Sequence, residues 1–223
     1  MSLRIESHTL GVFGVNVYLV TDEVTGTQAI IDTSETDEVL ELFKDSNPSL
    51  ILLTHAHLDH AGALPFLQER FPNATTVLPR LEQEFFMTLK QQGSWFGSPH
   101  LNRPLGRIDR LVDDGDVIGV GATSLKFLST PGHTPGMGCF YDDHDIFVGD
   151  TLFAGSIGRT DLPTGNPALM KASLKKLLAL PGHLRVHSGH GPMTTLGEEL
   201  ATNPFLGFIR AERGIDGDDG VDW

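Results

Sequence analysis

The chain has 223 residues, 39% of them hydrophobic and 20% charged, which is the composition of a folded globular protein and not of a disordered or fibrous one. Sixteen Lys and Arg against 29 Asp and Glu leave a formal charge of −13, a field that repels polyanions and argues against nucleic acid as a partner. Apolar runs fall far short of the roughly 20 residues of a membrane span, residues 1–10 lack the order of a leader peptide, and the single cysteine, Cys139, cannot form an intrachain disulfide, so a cytoplasmic protein with no membrane partner is expected.

One domain is expected over 1–213. Residues 214–223 read as a flexible tail, because Asp216, Asp218, Asp219 and Asp222 lie there among glycines. In chain order, residues 3–10, 15–21 and 28–33 read as strands, the last two joined near Thr25-Gly26. Helical spacing of Val39, Leu40, Leu42 and Phe43 predicts a helix over 37–47, and Pro48 ends it before an apolar strand over 50–53. A helix to about Phe71 follows a polar knot, and another is expected over 82–90 before a Gly/Pro-interrupted stretch. Strands recur over 123–128, 137–141 and 145–148. An amphipathic helix over 167–180 and a strand over 185–188 complete the series. Two successive β-rich halves, each with helices, predict a four-layer αββα sandwich. The alternative, a doubly wound parallel sheet, lacks its Gly-rich nucleotide fingerprint here.

The polar knot is Thr54-His55-Ala56-His57-Leu58-Asp59-His60, with three imidazoles and a carboxylate directly after an apolar strand. Imidazole nitrogen and carboxylate oxygen hold zinc and related divalent metals, and residues i and i+2 of an extended segment can point to one side. His55 and His57 are therefore candidates to share one ion. Asp59 and His60, where the chain turns into a helix, project differently and suggest a second ion. Further donors, each after a strand, are His133 in Thr130-Pro131-Gly132-His133-Thr134-Pro135-Gly136, Asp150 in Val148-Gly149-Asp150-Thr151, and His190 in Ser188-Gly189-His190-Gly191-Pro192.

This order of motifs, from Asp32 to Pro192, resembles the metallo-β-lactamase superfamily. The resemblance implies His55, His57 and His133 as ligands of one metal, Asp59, His60 and His190 as ligands of another, and Asp150 as the carboxylate bridging them. It also implies that Asp32, in Ile30-Ile31-Asp32-Thr33, supports the site from behind. Within the superfamily, the segment from Gly149 to Asp161 and Thr202-Asn203-Pro204-Phe205-Leu206 are similar to the glyoxalase II branch, the hydroxyacylglutathione hydrolases, and to its smaller relatives without the full C-terminal helical domain. Arg159 matches a basic position that contacts glutathione there, while Asp161 replaces an aromatic residue.

The resemblance thus implies two divalent metal ions, with zinc expected and iron or manganese suited to the same donors. The substrate implied is a small-molecule thioester, glutathione-linked in that branch, cleaved by a hydroxide held between the metals, with Asp59 orienting the nucleophile or accepting its proton. A mono-iron persulfide dioxygenase of the same fold is the alternative, ligated by the equivalents of His55, His133 and Asp150, and a lactonase is another. Cys139 is not required as a nucleophile.

Overall fold

The computed structural model describes residues 3–215 and 221; the tail expected over 214–223 lies outside the described residues apart from Gly214, Ile215 and Val221. The first half of the chain builds a six-stranded sheet from β1 (Leu3–Leu10), β2 (Val15–Asp22), β3 (Gln28–Ile31), β4 (Pro48–Leu52), β5 (Thr75–Pro79) and β6 (Arg110–Val112), which lie side by side in that order. β1 to β3 pair antiparallel, and β3 to β6 pair parallel through helical crossovers. The second half builds another six-stranded sheet from β7 (Val117–Val120), β8 (Thr123–Ser129), β9 (Gly138–Tyr141), β10 (Asp145–Gly149), β11 (Arg185–Ser188) and β12 (Thr194–Thr195). Only its β10–β11 pair is parallel, and the crossover between them carries the long helix.

The helices, in chain order, are α1 (Glu38–Leu42), α2 (Leu58–Ala61), α3 (Leu64–Arg70), α4 (Gln83–Phe86), α5 (Leu89–Trp95), α6 (Pro167–Leu177), α7 (Leu196–Thr202) and α8 (Gly207–Glu212). Three apolar clusters separate four layers. Val17, Ile30 and Ile51 of the first sheet meet Val39, Leu64 and Leu67 of its helices. Tyr18, Ile31, Leu52 and Val77 on the opposite face meet Leu125, Phe127, Phe140 and Phe147 of the second sheet. Val148 and Val186 meet Met170, Leu174, Leu177 and Ile209 on the far side. β2 shows the cause: every residue of Val15–Asp22 is buried, with alternate side chains in different clusters, as a strand sandwiched between two layers requires. Each such Val, Leu or Ile contributes roughly 1.5–3 kcal/mol on leaving water. The expected four-layer αββα sandwich is the fold observed.

The sequence-based boundaries differ from the structure in places. The helix expected over 37–47 is only Glu38–Leu42, and Pro48 opens β4 instead of preceding it. The helix expected after the polar knot begins inside it, at Leu58, and is two helices, because Pro65 in the first turn of α3 has no amide hydrogen to donate and its ring would strike the carbonyl of Ala61 in a continuous helix. The helix expected over 82–90 also breaks, at Met87 and Thr88, where the Thr88 hydroxyl donates to the Phe85 carbonyl (2.6 Å) in place of a continued ladder. The elements β5, β6, β7, β12, α7 and α8 were not anticipated: all are of seven residues or fewer, and β5 and β6 pair with strands distant in sequence.

Candidate metal centre

The site lies on the seam between the two halves of the chain. β4 is an apolar strand buried in parallel pairing, and as it ends the Thr54 amide donates to Asp32 Oδ1 (2.8 Å), which fixes the chain direction into 54–60. Residue 57 is still extended (φ −68°, ψ 152°) and caps α2, so Asp59 and His60 rise from the first turn of a helix while His55 and His57 precede it. The second half delivers His133 from the loop after β8, Asp150 directly after β10 and His190 directly after β11. Hydrogen bonds lock the halves together: Asn16 N donates to Gly189 O (2.7 Å), the Tyr18 hydroxyl to Ser188 O (2.6 Å) and Gly138 N to Thr54 O (3.1 Å).

All seven expected donors converge. Three sets have donor atoms within 4.8 Å of one another: His55, His57 and His133; His55, His60 and Asp150; and Asp59, His60 and His190. Asp150 sits between the outer sets, with Oδ1 3.2 Å from His60 Nε2 and Oδ2 3.3 Å from His133 Nε2. His190 Nε2 lies 3.2 Å from Asp59 Oδ2, and His55 Nε2 lies 3.1 Å from His57 Nδ1.

The outward nitrogens explain how the inward ones are aimed. His60 Nδ1–H donates to Asp32 Oδ2 (2.8 Å), His133 Nδ1–H to the Arg159 carbonyl (2.8 Å) and His190 Nδ1–H to the Gly14 carbonyl (3.2 Å). The Thr54 hydroxyl donates to Asp32 Oδ2 (2.8 Å), so it accepts from His55 Nδ1–H (3.0 Å). Each of these four imidazoles in its neutral form therefore turns an Nε2 lone pair inward, the arrangement that orients metal-binding histidines. Asp32 does this from a left-handed backbone (φ 58°), a conformation aspartate tolerates better than most residues.

A divalent metal fits this centre. His60 Nε2, His133 Nε2 and Asp150 Oδ1 are buried with no hydrogen-bond partner, a costly state for acceptors facing one another. Donors at 2.0–2.1 Å in tetrahedral array stand about 3.3 Å apart, close to the contacts observed. Charge agrees. Burial drives His55 well below the usual imidazole range, reinforced by His60, and drives His57 down to about 3. His60 goes the other way: burial opposes its proton, but Asp150, Asp59 and Asp32 together raise it well above the ordinary value. Burial likewise opposes ionisation of Asp150, yet His60 and His133 hold its carboxyl well below the usual range. Carboxylates so placed call for a cation at their centre.

Gly189 makes room for this packing, since a Cβ there would stand 2.3 Å from Asp150 Oδ1 and 2.6 Å from His60 Cε1. Cys139 is buried in the second sheet, and burial pushes its thiol up to about 11, away from the thiolate form that a nucleophile uses. Arg159 stands at the mouth of the cleft, two-thirds exposed, with its guanidinium fork on Asp161 (Nε to Oδ1 2.9 Å, Nη2 to Oδ2 2.8 Å).

Several positioning residues were not foreseen from sequence. Buried Glu82 accepts from the amides of Ala56 (2.9 Å) and Gly136 (2.7 Å), tying together the two loops that carry His55, His57 and His133. Gln92 accepts from Leu58 N (2.8 Å) and donates to Ala56 O (2.9 Å). Both lie in short helical segments whose sequence reads as an ordinary polar surface. Asn203 donates to the carbonyls of Phe153 (3.3 Å) and Ser156 (3.0 Å), so the segment around Asn203 braces the loop over 151–157 that places Phe153 against the cleft.

Residues 10–190 match the family model described as the metallo-beta-lactamase superfamily. The chain belongs to that superfamily. It is a metallo-hydrolase of that group, whose members bind divalent metals. Hydroxyacylglutathione hydrolase GloC of Haemophilus influenzae is 33% identical over 210 residues, 92% of this chain and 98% of that one. The crystal structure of TTHA1623 in a di-iron-bound form is 40% identical, and the match covers 90% of this chain and 100% of that chain, with TM-score 0.80. The B3 metallo-beta-lactamase BLEG-1 is 33% identical, with 91% and 99% covered and TM-score 0.82. Among the described residues no helix is long and apolar enough to cross a membrane.

Proposed function

We propose that this chain hydrolyses thioesters of the hydroxyacylglutathione type with two divalent metal ions, held by His55, His57 and His133 on one side, by Asp59, His60 and His190 on the other, and by Asp150 between them. The observation that carries the metal assignment is the set of inward, partnerless donor atoms His60 Nε2, His133 Nε2 and Asp150 Oδ1 in one buried cluster. What narrows the substrate is the relationship to GloC, together with the paired segments over 149–161 and 202–206, which Asn203 joins into one unit beside the cleft.

Divalent ions in such a centre bring water toward ionisation near neutral pH and polarise a carbonyl. The residues do the rest. Asp59, which lines the cleft, takes the proton of the attacking water in this reading, and His190 Nε2, 3.2 Å from its Oδ2, would be its fellow donor to the same ion. Water oxygen bonds to the thioester carbonyl carbon, the carbon–sulfur bond breaks, and the sulfur leaves as a thiolate. The products are a carboxylate and a thiol. With a thiol pKa near 8.5 the leaving group needs no strong general acid. Arg159 receives a carboxylate of the thiol portion at the mouth.

The test is hydrolysis of S-lactoylglutathione by metal-loaded protein, beside a penicillin and a cephalosporin. Thioester turnover without β-lactam turnover is expected, and Arg159→Ala should raise KM several-fold with kcat little changed, since a remote contact contributes uniform binding. Rapid β-lactam hydrolysis with inert thioester would reverse the assignment.

A further inference from the structure

Beyond the metal cleft a second cavity, ≈ 480 Å³, opens on the side of His57 and is walled by Phe85, Trp95, Phe96, Leu162 and Pro163. The two cavities share His57, Phe96 and Leu162, so the second continues the first. His57 aside, none of the described side chains lining it is ionisable. Its aromatic wall is ordered: Phe85 meets His57 edge-on with ring centroids at 5.1 Å and stacks against Trp95 at 6.5 Å, while Phe96 meets Phe13 at 6.1 Å. Trp95 and Phe96 are nevertheless 53% and 48% exposed. Large aromatic rings left open to water on the walls of a cleft are the mark of a surface that a ligand covers.

Charge separates the two ends of the cleft. Arg159, the only Lys or Arg among the described lining residues of either cavity, lies at the metal-cleft mouth, and its pair with Asp161 is exposed enough to open to a substrate carboxylate. Among the described residues the second cavity offers, besides His57 itself, apolar and hydroxyl surface. A substrate with a polar, anionic half and an apolar half has one way to lie here.

We propose that the cavity walled by Phe85, Trp95, Phe96, Leu162 and Pro163 is an acyl-group subsite, and that the preferred substrates are thioesters whose acyl portion carries an extended alkyl or aromatic substituent. This rests on the thioesterase reading for the reaction but on the second cavity for the specificity. Each methylene buried in such a pocket gives up to about a fourfold gain in transition-state binding.

The experiment compares a series of 2-hydroxyacyl glutathione thioesters, from lactoyl through hydroxyhexanoyl to hydroxyoctanoyl, with a carboxylate-tipped analogue of matched length. The expected result is kcat/KM rising about two- to fourfold per methylene, with the carboxylate-tipped compound falling below lactoyl. Trp95→Ser should flatten the series and Trp95→Phe should restore most of the slope. In parallel, quenching of Trp95 fluorescence by 4-phenylbutyrate is measured in a Trp223→Phe background, which leaves Trp95 as the sole tryptophan. Saturable quenching, reduced by Leu162→Asp, is expected. Hydrolysis with a flat series and no quenching overturns the subsite while leaving the thioesterase reading intact. Quenching without turnover of any thioester supports the subsite and sinks the thioesterase reading.

Discussion

Asp32 acts on the cluster through two neighbours, His60 and Thr54, and the Thr54 hydroxyl in turn receives the Nδ1–H of His55. One carboxylate therefore orients a donor of each proposed ion. Asp32→Asn is expected to lower metal affinity about 10- to 100-fold with the fold retained, the range seen when a partner behind a metal-binding histidine is removed; His57→Ala, which removes a donor outright, should lower metal content and activity together. Metal analysis after dialysis against a weak chelator checks both. Unchanged stoichiometry with full turnover in His57→Ala would remove it from the donor set. At this scale the site was legible because donors are dense: four within 55–60, then one after each of three strands, and all seven meet. Glu82 and Gln92 were not legible, since a glutamate or glutamine in a helical segment looks the same in sequence whether it faces water or caps two buried amides.

Elements position the loops, and the tie between them is testable. Glu82, at the start of α4, satisfies one amide from the loop after β4 and one from the loop after β8. Glu82→Ala leaves both N–H groups buried and unpaired, at about 1–3 kcal/mol each, so a loss of about 2–6 kcal/mol in unfolding free energy is expected by denaturant titration. Glu82→Gln, which keeps one acceptor oxygen, should lose less; equal losses would show that the oxygens are not used separately. The parallel pair β10–β11 carries an acid-sensitive contact. Buried Asp145 accepts from His187 Nε2 (2.7 Å) and Arg185 Nη2 (2.6 Å), and although burial opposes its charge, these partners lower its pKa below the ordinary 3.8. A carboxylate with a depressed folded-state pKa contributes stability that is complete above the unfolded value and is lost as pH falls through the folded one. Wild type should therefore lose stability below about pH 4 more steeply than Asp145→Asn, as read from urea midpoints across pH. Parallel curves would contradict this. Long or strongly alternating elements such as β1, β2 and α6 were readable from periodicity, whereas β5 and β6, of five and three residues, became strands only through partners elsewhere in the chain, and β7, though it pairs with the next strand, has four residues, too few to show a period.

For the whole molecule, the division of donors matters most. His55, His57, Asp59 and His60 come from the half that forms the first sheet, and His133, Asp150 and His190 from the half that forms the second. The centre exists only when both sheets are packed, so bound metal should bridge the halves and raise stability by mass action. The sandwich was readable from two successive β-rich halves, but the seam itself was not, because contacts such as Asn16 with Gly189 join residues far apart in sequence. The decisive measurement is a titration of metal-free protein with Zn²⁺ or Fe²⁺, counting ions per chain while S-lactoylglutathione loss and, with glutathione persulfide, oxygen uptake are followed on the same sample. Thioester turnover that reaches its plateau at two ions per chain, without oxygen consumption, is the expected result. A plateau at one iron per chain with rapid oxygen uptake and no thioester loss would contradict the two-metal hydrolase.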